Sequence, residues 1–434
     1  MPPSNRAPIT RKKKQKMNLH QILRKLKPEP VPRAEGVSDR VVRLGLLARF
    51  FDELLSGLPD LLLPTIRDLL GLSYTQASLL WQITDYVAVV VEPLNGLFID
   101  IWQRRWLLGL GAIFIGLAVM VMGVAPTFVL LAVGFFLYGI GSGPLAHTAD
   151  VVLVESHPAA PDRIYARSTM IDTIGALLPP IMVAVTFWLE LPWRSLLVVN
   201  GGLALIYAGF ILRTRFPGPA GASPEDDEPE LPFWRAIGGN IRAVLTNRTA
   251  LFWLAFLLLH DVTELPFSLQ NLWLADEVGM SQFLISVYRG LALAVNLVAL
   301  FFLDRWLQQR SRRHILLTAT LLVLLLLPLW LYWPGVWPRF LLGIPLSFYL
   351  AMFWPIMKAQ SLASAPGLAG TVSAVNALFG LLPLRLLYGV LADQVGLTSA
   401  TILVQLPAFM LILLLVLRLP AGAQPTGPQH ENSK

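Results

Sequence analysis

The chain has 434 residues, of which 55% are hydrophobic and 14% are charged, with a net charge of +7. Ordinary globular domains carry about 25% charged residues, so this composition excludes a soluble enzyme. The basic residues cluster at the ends of apolar segments and in the N-terminal tail, which argues against nucleic acid as a partner.

Residues 1–43 form a basic N-terminal tail without the apolar core and cleavage site of a secretory signal. We predict a disordered cytoplasmic tail whose charge fixes the topology. The alternative is a short interfacial helix over Met17 to Lys27, with its leucines facing lipid.

Twelve apolar runs follow, each long enough to cross a bilayer as a helix and too long for a barrel strand. They predict an all-α polytopic membrane protein. The predicted spans 1 to 12 cover residues 44–66, 77–99, 104–125, 128–150, 167–189, 194–213, 250–272, 283–303, 314–333, 338–358, 371–391 and 398–418.

The Lys and Arg residues set the predicted topology. If the N-terminus is inside, 28 of the 34 lie in the tails, the inner loops or the adjoining span ends. The positive-inside rule then places both termini in the cytoplasm, and we expect a bacterial inner membrane. Residues 214–248 contain a Pro- and Gly-rich stretch and an acidic run, which predict a flexible cytoplasmic linker. Residues 419–434 form a C-terminal tail.

The two six-span halves, 44–213 and 249–418, resemble each other. Gly71-Leu-Ser73 after span 1 matches Gly279-Met-Ser281 after span 7, and the same offset pairs Asp52 with His260. In span 5, Gly175 and a following Pro match the Gly380 motif in span 11. Matched places in matching order predict two pseudo-symmetric halves, which are typical of secondary transporters.

A charged hinge lies between spans 2 and 3, and a related one follows span 8. The first resembles the loop signature of the major facilitator superfamily, although Ile101 and Gln103 depart from it. Gly389-Val-Leu-Ala-Asp393 in span 11 is also similar to that superfamily. The resemblance implies a twelve-span transporter with spans 1, 4, 7 and 10 at the cavity wall. It also implies a gating role for Gly96, Asp100, Arg104, Arg105, Asp304 and Arg305.

A narrower likeness concerns span 1. Arg49-Phe-Phe-Asp52-Glu53 running to Pro64 is similar to the fosmidomycin-resistance type of drug-efflux protein, with departures at Arg49 and Asp52. This likeness implies drug efflux.

Span 1 carries Arg49, Asp52, Glu53 and Asp60 on one broad helical face. A charge at the bilayer centre costs about 2.5–3.5 kcal/mol, so these are functional candidates. One arginine cannot neutralise three carboxylates, and we expect Glu53, or else Asp52, to carry a proton. The alternative is that Arg49 neutralises Asp52 or Glu53 and only holds the helix in place.

Span 7 supplies His260, Asp261 and Glu264. Because His260 and Asp261 correspond to Asp52 and Glu53 in the repeat, we expect the two pairs to face each other across a central cavity and to share the proton coupling. Two ligands without a third make a metal site the weaker interpretation.

Other polar and aromatic residues are predicted to line the substrate cavity together with Arg49, Asp60 and Glu264. Arg289 and Arg385 each either neutralise a carboxylate or bind an anionic substrate group. The remaining candidates are Asp85 and Glu92 in span 2 and Trp354 in span 10.

The pattern predicts a monomeric transporter that works by alternating access, without a cofactor or a metal. We expect proton-coupled export of a small, partly apolar compound. The alternatives are proton-coupled uptake of an organic anion and, from another class, a membrane assembly factor or sensor that moves no solute. The chain has no cysteine, which excludes thiol chemistry, and no Walker lysine motif, which argues against ATP.

Overall fold

The computed structural model describes residues 33–157, 161–216, 233–365 and 368–420. Within these ranges the chain is helical and contains no strand. All twelve predicted spans are present as helices or interrupted helices, which confirms the all-α polytopic fold. In order they are Asp39–Leu70, Tyr74–Ile101, Arg104–Val124, Phe128–Glu155, Pro161–Trp188, Trp193–Leu212, Arg248–Asp276, Gln282–Gln309, Arg312–Tyr332, Val336–Ala363, Ala369–Val395 and Leu397–Arg418.

Ten of these spans are long and apolar enough to cross a membrane, among the residues that are described. Spans 1 and 2 are of comparable length but are more polar. Span 1 holds Asp52, Glu53 and Asp60, whereas span 2 holds Asp85 and Glu92. The carboxylates of span 1, which include the predicted proton carriers, therefore lower its mean hydropathy.

The turns after spans 1 and 7 have the same construction. Gly71 and Gly279 adopt φ values of 62° and 74°, in the left-handed region that a side chain disfavours. Two residues later, the hydroxyl of Ser73 or Ser281 caps the next helix. The match between the two halves therefore extends from the sequence to the backbone.

The two charged hinges are shorter than predicted. Span 2 remains helical to Ile101 and span 8 to Gln309, so only Trp102–Gln103 and Arg310–Ser311 are non-helical. Polar and aromatic side chains let a helix continue beyond its apolar run into the headgroup layer. The expectation that Asp100 and Asp304 lie in loops is therefore wrong.

The predicted linker is not flexible throughout. Phe233–Thr246 form a helix, and Val244 in it is fully buried against Ala250 and Leu254 of span 7 and Val372 of span 11. The acidic run, the N-terminal tail and the interfacial helix proposed within that tail lie outside the described residues.

Three spans of the second half are interrupted, although continuous helices were predicted. Span 7 passes through a 3-10 turn at Leu265–Leu269, and span 10 through a turn at Ala351–Met352. Span 11 passes through a 3-10 turn at Leu378–Leu381 and resumes at Leu384. At membrane depth, non-helical backbone is tolerated where it is buried in protein or lines a cavity.

The membrane-crossing bundle has two sides. The tail side carries Asp39 and Arg418, and the far side carries Gly71 and Gly279. On the far side the halves are joined, because Asp393 of span 11 accepts hydrogen bonds from the Tyr74 backbone N–H at 2.8 Å and the Thr75 N–H at 2.9 Å.

Two further contacts close the far side. The Arg67 guanidinium lies 2.5 Å from the Asp276 carboxylate, and the Tyr74 hydroxyl donates to that carboxylate at 2.8 Å. A Cβ on Gly389 would lie 2.8 Å from the Tyr74 carbonyl oxygen, so glycine is what lets spans 2 and 11 approach. These contacts seal the far side between the halves.

Candidate functional site

Two adjoining cavities lie around the interruption of span 7. The first, of about 410 Å³, is enclosed by spans 7, 8 and 10. The second, of about 270 Å³, lies between span 2 of the first half and spans 7 and 11 of the second. Asp261 and Glu264 line both cavities, so these two carboxylates stand at their junction.

The interrupted helices build the cavity walls. Glu264 is the last residue of the first helical segment of span 7, directly before the 3-10 turn. Ala351 at the break in span 10 lines the first cavity, and Phe379 at the break in span 11 lines the second. Three non-helical stretches therefore face the same polar space, as in transporters that bind solute at discontinuous helices.

His260 and Trp354 form an aromatic corner of the first cavity. The His260 side chain is 7% exposed, and its Nδ1 lies 3.3 Å from the Thr263 hydroxyl and 3.7 Å from a Glu264 carboxylate oxygen. The ring centroids of His260 and Trp354 are 5.7 Å apart. Trp354 is 45% exposed and adds an aromatic surface to the lining of this cavity.

Both candidate arginines are paired with carboxylates of the other half. Arg289 lies 3.3 Å from Asp60 and also donates to the Gln270 side chain at 2.6 Å. Arg385 lies 2.6 Å from Asp85. Each arginine therefore contacts a carboxylate, as the first of its two predicted roles requires.

The lining of the two cavities is acidic overall. It contains four carboxylates, those of Asp85, Glu92, Asp261 and Glu264, against the two arginines. Glu92 lies 3.8 Å from the His147 imidazole of span 4. Since Arg385 is engaged by Asp85 and Arg289 by Asp60, no arginine is paired with Asp261 or Glu264 among the described ion pairs.

Arg49 and Asp52 of span 1, unlike Asp60, have their hydrogen-bond partners inside the first half. Arg49 binds Asp172 of span 5 through two nitrogens, at 3.1 and 2.7 Å, and lies 3.5 Å from Asp150 of span 4. Asp52 accepts a hydrogen bond from Ser142 at 3.1 Å. The alternative prediction pairs Arg49 with Asp52 or Glu53 of its own helix, but the described hydrogen bonds and salt bridges of its guanidinium go to neighbouring spans.

Neither Asp52 nor Glu53 lines the two cavities described above. Glu53 packs beside Gly175, where an added Cβ would lie 3.1 Å from the Glu53 Cβ and 2.6 Å from the Phe50 carbonyl oxygen. His260 and Asp261, by contrast, line the first cavity. These cavities do not bring the two predicted pairs together.

Of the predicted gating residues, Arg104 is buried in an ion pair, whereas Arg105 and Arg305 lie near the surface. The Arg104 side chain is 1% exposed and binds both oxygens of Glu155, with one contact of 2.8 Å. Arg105 donates to the Gln103 side chain and lies over the Trp106 ring, while Arg305 is exposed. Arg104 thus ties spans 3 and 4 within one half. The side chains at Gly96, Asp100 and Asp304 lie outside the described residues.

Replacing Arg104 by Ala should lower the free energy of unfolding by about 1.5–3 kcal/mol, since it removes the buried guanidinium that hydrogen-bonds both oxygens of Glu155, whose side chain is 33% exposed. Arg105→Ala, next to it and with only surface contacts, should change that energy by less than about 1 kcal/mol. Thermal unfolding in detergent measures both variants. Equal loss in the two would show that burial of the Arg104–Glu155 pair is not what stabilises this corner.

Sequence reasoning missed the partners of several charges. Asp172 and Asp150 hold Arg49, and Glu155 holds Arg104. Asp393 caps span 2 from the other half. The signal for Asp172 was an acid inside span 5 with no opposite charge three or four residues away on its own helix, which favours a partner on another one.

Twelve spans in two related halves, with discontinuous helices around a shared cavity, match a known architecture. The sequence profile of the Major Facilitator Superfamily matches residues 45–386. The chain belongs to this superfamily. It is therefore an integral membrane protein of a transporter family.

Individual relatives of this transporter are distant. It is 27% identical over 154 residues to the probable sulfoacetate transporter SauU of Cupriavidus necator, covering 34% of this chain and 35% of that protein. The match therefore spans about a third of the relative's length.

Solved structures share the fold. A bacterial homolog of the human lysosomal transporter Spinster, inward-facing and unoccupied, has a TM-score of 0.66 at 15% identity, covering 88% of this chain and 96% of that one. The nucleoside transporter NupG has a TM-score of 0.68 at 14% identity, covering 87% and 97%.

Proposed function

We propose that this transporter couples the export of a small, partly apolar compound to proton entry, with the tail side in the cytoplasm. The observation that carries the proposal is the position of Asp261 and Glu264. They line both cavities and are not engaged by either cavity arginine. Carboxylates at membrane depth are the groups that proton-driven transporters use as relays.

The lining also supports a basic, partly apolar compound as the substrate. Four carboxylates against two paired arginines give the cavities an excess of negative charge. Trp354 offers an aromatic face to a cation, and Asn296 and Ser347 offer hydrogen bonds. A compound with an amine and an apolar body satisfies this set, and it competes with protons for Asp261 and Glu264.

Competition at shared carboxylates is sufficient for coupling. When the compound is bound from the tail side, Asp261 and Glu264 are occupied by its positive charge. When the cavity faces the far side, protons displace it there, and the protonated cavity returns. Each state binds one of the two ligands better, which is the differential affinity that shifts a conformational equilibrium.

Proton-coupled uptake of an organic anion is the second candidate. Arg289 lines the first cavity, and its 3.3 Å contact with Asp60 is long for a charge-assisted hydrogen bond, which usually measures about 2.7–2.9 Å. The partial match to a probable sulfoacetate transporter agrees with an anion substrate. In this scheme Arg289 exchanges Asp60 for the carboxylate or sulfonate of the solute.

A binding screen separates the two candidates. Purified transporter is heated with a panel of hydrophobic amines, neutral aromatics and small sulfonates. Amines should raise its melting temperature, because a ligand at about 100 times its Kd stabilises the folded state by about 2.7 kcal/mol. Glu264→Gln should remove the response, whereas Asp68→Asn, at a 71% exposed side chain on the far side, should keep it.

The opposite pattern would favour uptake. Stabilisation by sulfonates that is lost in Arg289→Gln and retained in Glu264→Gln supports the anion scheme and overturns export of a basic compound.

A further inference from the structure

A third cavity, of about 430 Å³, lies outside the transport site, at the tail-side ends of spans 7, 9, 10 and 12. We call it the basic pocket. Arginines from three of these spans line it, and they are Arg248, Arg312, Arg313 and Arg418. Neither of the cavities assigned to transport shares a residue with it.

The charge of the basic pocket is not compensated by its own walls. Its described lining contains no Asp or Glu, and the partner of the Arg312 Nη1 is the neutral Gln360 side chain, at 3.2 Å. The corresponding arginine of the first half shows that a charged partner is possible at this position. Arg104 and Arg312 are separated by the same spacing as Gly71 and Gly279, yet Arg104 binds the Glu155 carboxylate. The partner of the arginine is thus a neutral amide in the second half and a carboxylate in the first half.

Two helices begin at the basic pocket, and their N-termini add to its positive potential. The helix from Arg248 is capped by Asn247, and span 9 is capped by Ser311. The first-turn N–H groups of a helix favour an anion. The hydroxyls of Thr249 and Ser311 lie in the same lining as further donors. Together with the arginines, they match an anion with several oxygens.

The inner wall of the basic pocket is apolar. It is formed by Phe252 and Trp253, about one helical turn further into span 7 than Arg248, whereas Leu419 follows Arg418 at the tail-side end of span 12. This level corresponds to the headgroup layer of a bilayer, where basic pockets between helices bind lipid phosphates. An inorganic phosphate ion uses the arginines alone, whereas a phospholipid uses both the arginines and the apolar wall.

We propose that the basic pocket binds the phosphate headgroup of an anionic phospholipid in the tail-side leaflet, with an acyl chain against Phe252 and Trp253. One Arg guanidinium can donate two parallel hydrogen bonds to two oxygens of a phosphate group. Four arginines exceed the need of one phosphodiester, so a lipid with two phosphates should bind more tightly than one with a single phosphate. This site is independent of the solute that the transporter carries.

Native mass spectrometry of the full-length protein tests the proposal, with diphosphatidylglycerol, phosphatidylglycerol and phosphatidylcholine added in turn. We expect affinity to fall in that order. Each arginine removed should weaken binding of phosphatidylglycerol about fivefold, so Arg312→Gln with Arg313→Gln should give a larger loss than Arg248→Gln alone. Arg242→Gln, at an exposed arginine of the Phe233–Thr246 helix, is the matched control and should change nothing.

Two results would overturn the assignment. One is equal binding of phosphatidylglycerol by Arg242→Gln and by both pocket variants, measured on samples that elute as the same folded species. The other is inorganic phosphate that, at the same concentration as phosphatidylglycerol, binds as tightly and with the same dependence on the arginines, because the apolar wall would then contribute nothing. Arg248→Gln changes one exposed side chain and keeps the test valid if the double variant fails to fold.

Discussion

Glu264→Gln should reduce proton-driven transport to the level of vesicles without protein. Glutamine has the same size and still forms hydrogen bonds, but it cannot take up or release a proton. Because Glu264 stands at the junction of the two cavities, its loss removes the group for which compound and proton compete. Asp261→Asn should have a similar but smaller effect, because Glu264, directly before the break in span 7, then remains to exchange the proton. Flux into proteoliposomes with an imposed pH gradient measures both.

The comparison with span 1 makes this prediction sharper. Glu53→Gln should keep most of the driven transport, because Glu53 lies against Gly175 in the first half and outside both cavities. If proton-driven transport persists in Glu264→Gln and is lost in Glu53→Gln, the proton carrier lies in span 1, as the sequence alone predicts. Asp68→Asn serves as the neutral control.

Asp393→Ala should open the far side. The Asp393 carboxylate of span 11 accepts hydrogen bonds from the N–H groups of Tyr74 and Thr75 and from the Thr75 hydroxyl at 2.5 Å. These are charge-assisted bonds to a helix N-terminus that span the two halves. Losing them at a partly exposed site should cost the closed state about 2 kcal/mol, a shift of about thirtyfold in its ratio to the open state.

Spin labels can measure this shift, because the chain has no cysteine of its own. Val129→Cys and Trp337→Cys place labels on the far side of opposite halves, at side chains that are 70% and 75% exposed. Asp393→Ala should move the distance distribution toward longer values.

The chain provides a matched control for that measurement. Glu277 caps span 12 in the same way, through the backbone N–H of Leu397 at 2.6 Å and of Thr398 at 3.0 Å, but both partners belong to the second half. Glu277→Gln should therefore lower stability without changing the distance between the labels. An unchanged distribution in Asp393→Ala would show that the cap does not hold the far side closed.

Much of the fold could be predicted from the sequence because membrane spans are specified locally. A run of apolar residues longer than a bilayer is thick has few alternatives to a helix. The repeat was visible at Gly71 and Gly279 because a left-handed turn selects glycine in both halves. Span ends were less accurate, since Ile101 and Gln309 are helical beyond the apolar runs.

The site was less predictable because its contacts join distant parts of the chain. Helical spacing placed Arg49 beside Asp52 and Glu53, yet its partner is Asp172, 123 positions away. For Arg289 and Arg385 the sequence left two roles open, and the carboxylates that they contact, Asp60 and Asp85, belong to the other half. The interruptions of spans 7, 10 and 11 were also missed, because prolines alone do not predict them. Span 1 contains Pro59 and Pro64 and remains one helix.

Solute flux under a controlled pH gradient tests the central claim most directly. The amine that stabilises the purified transporter most is added outside proteoliposomes, and its entry is followed with the gradient present and after a protonophore collapses it. The account predicts accumulation against the solute's own gradient while the pH gradient lasts, loss of that accumulation on collapse, and no accumulation in Glu264→Gln. Accumulation that is unchanged by the protonophore would contradict proton coupling through the cavity carboxylates.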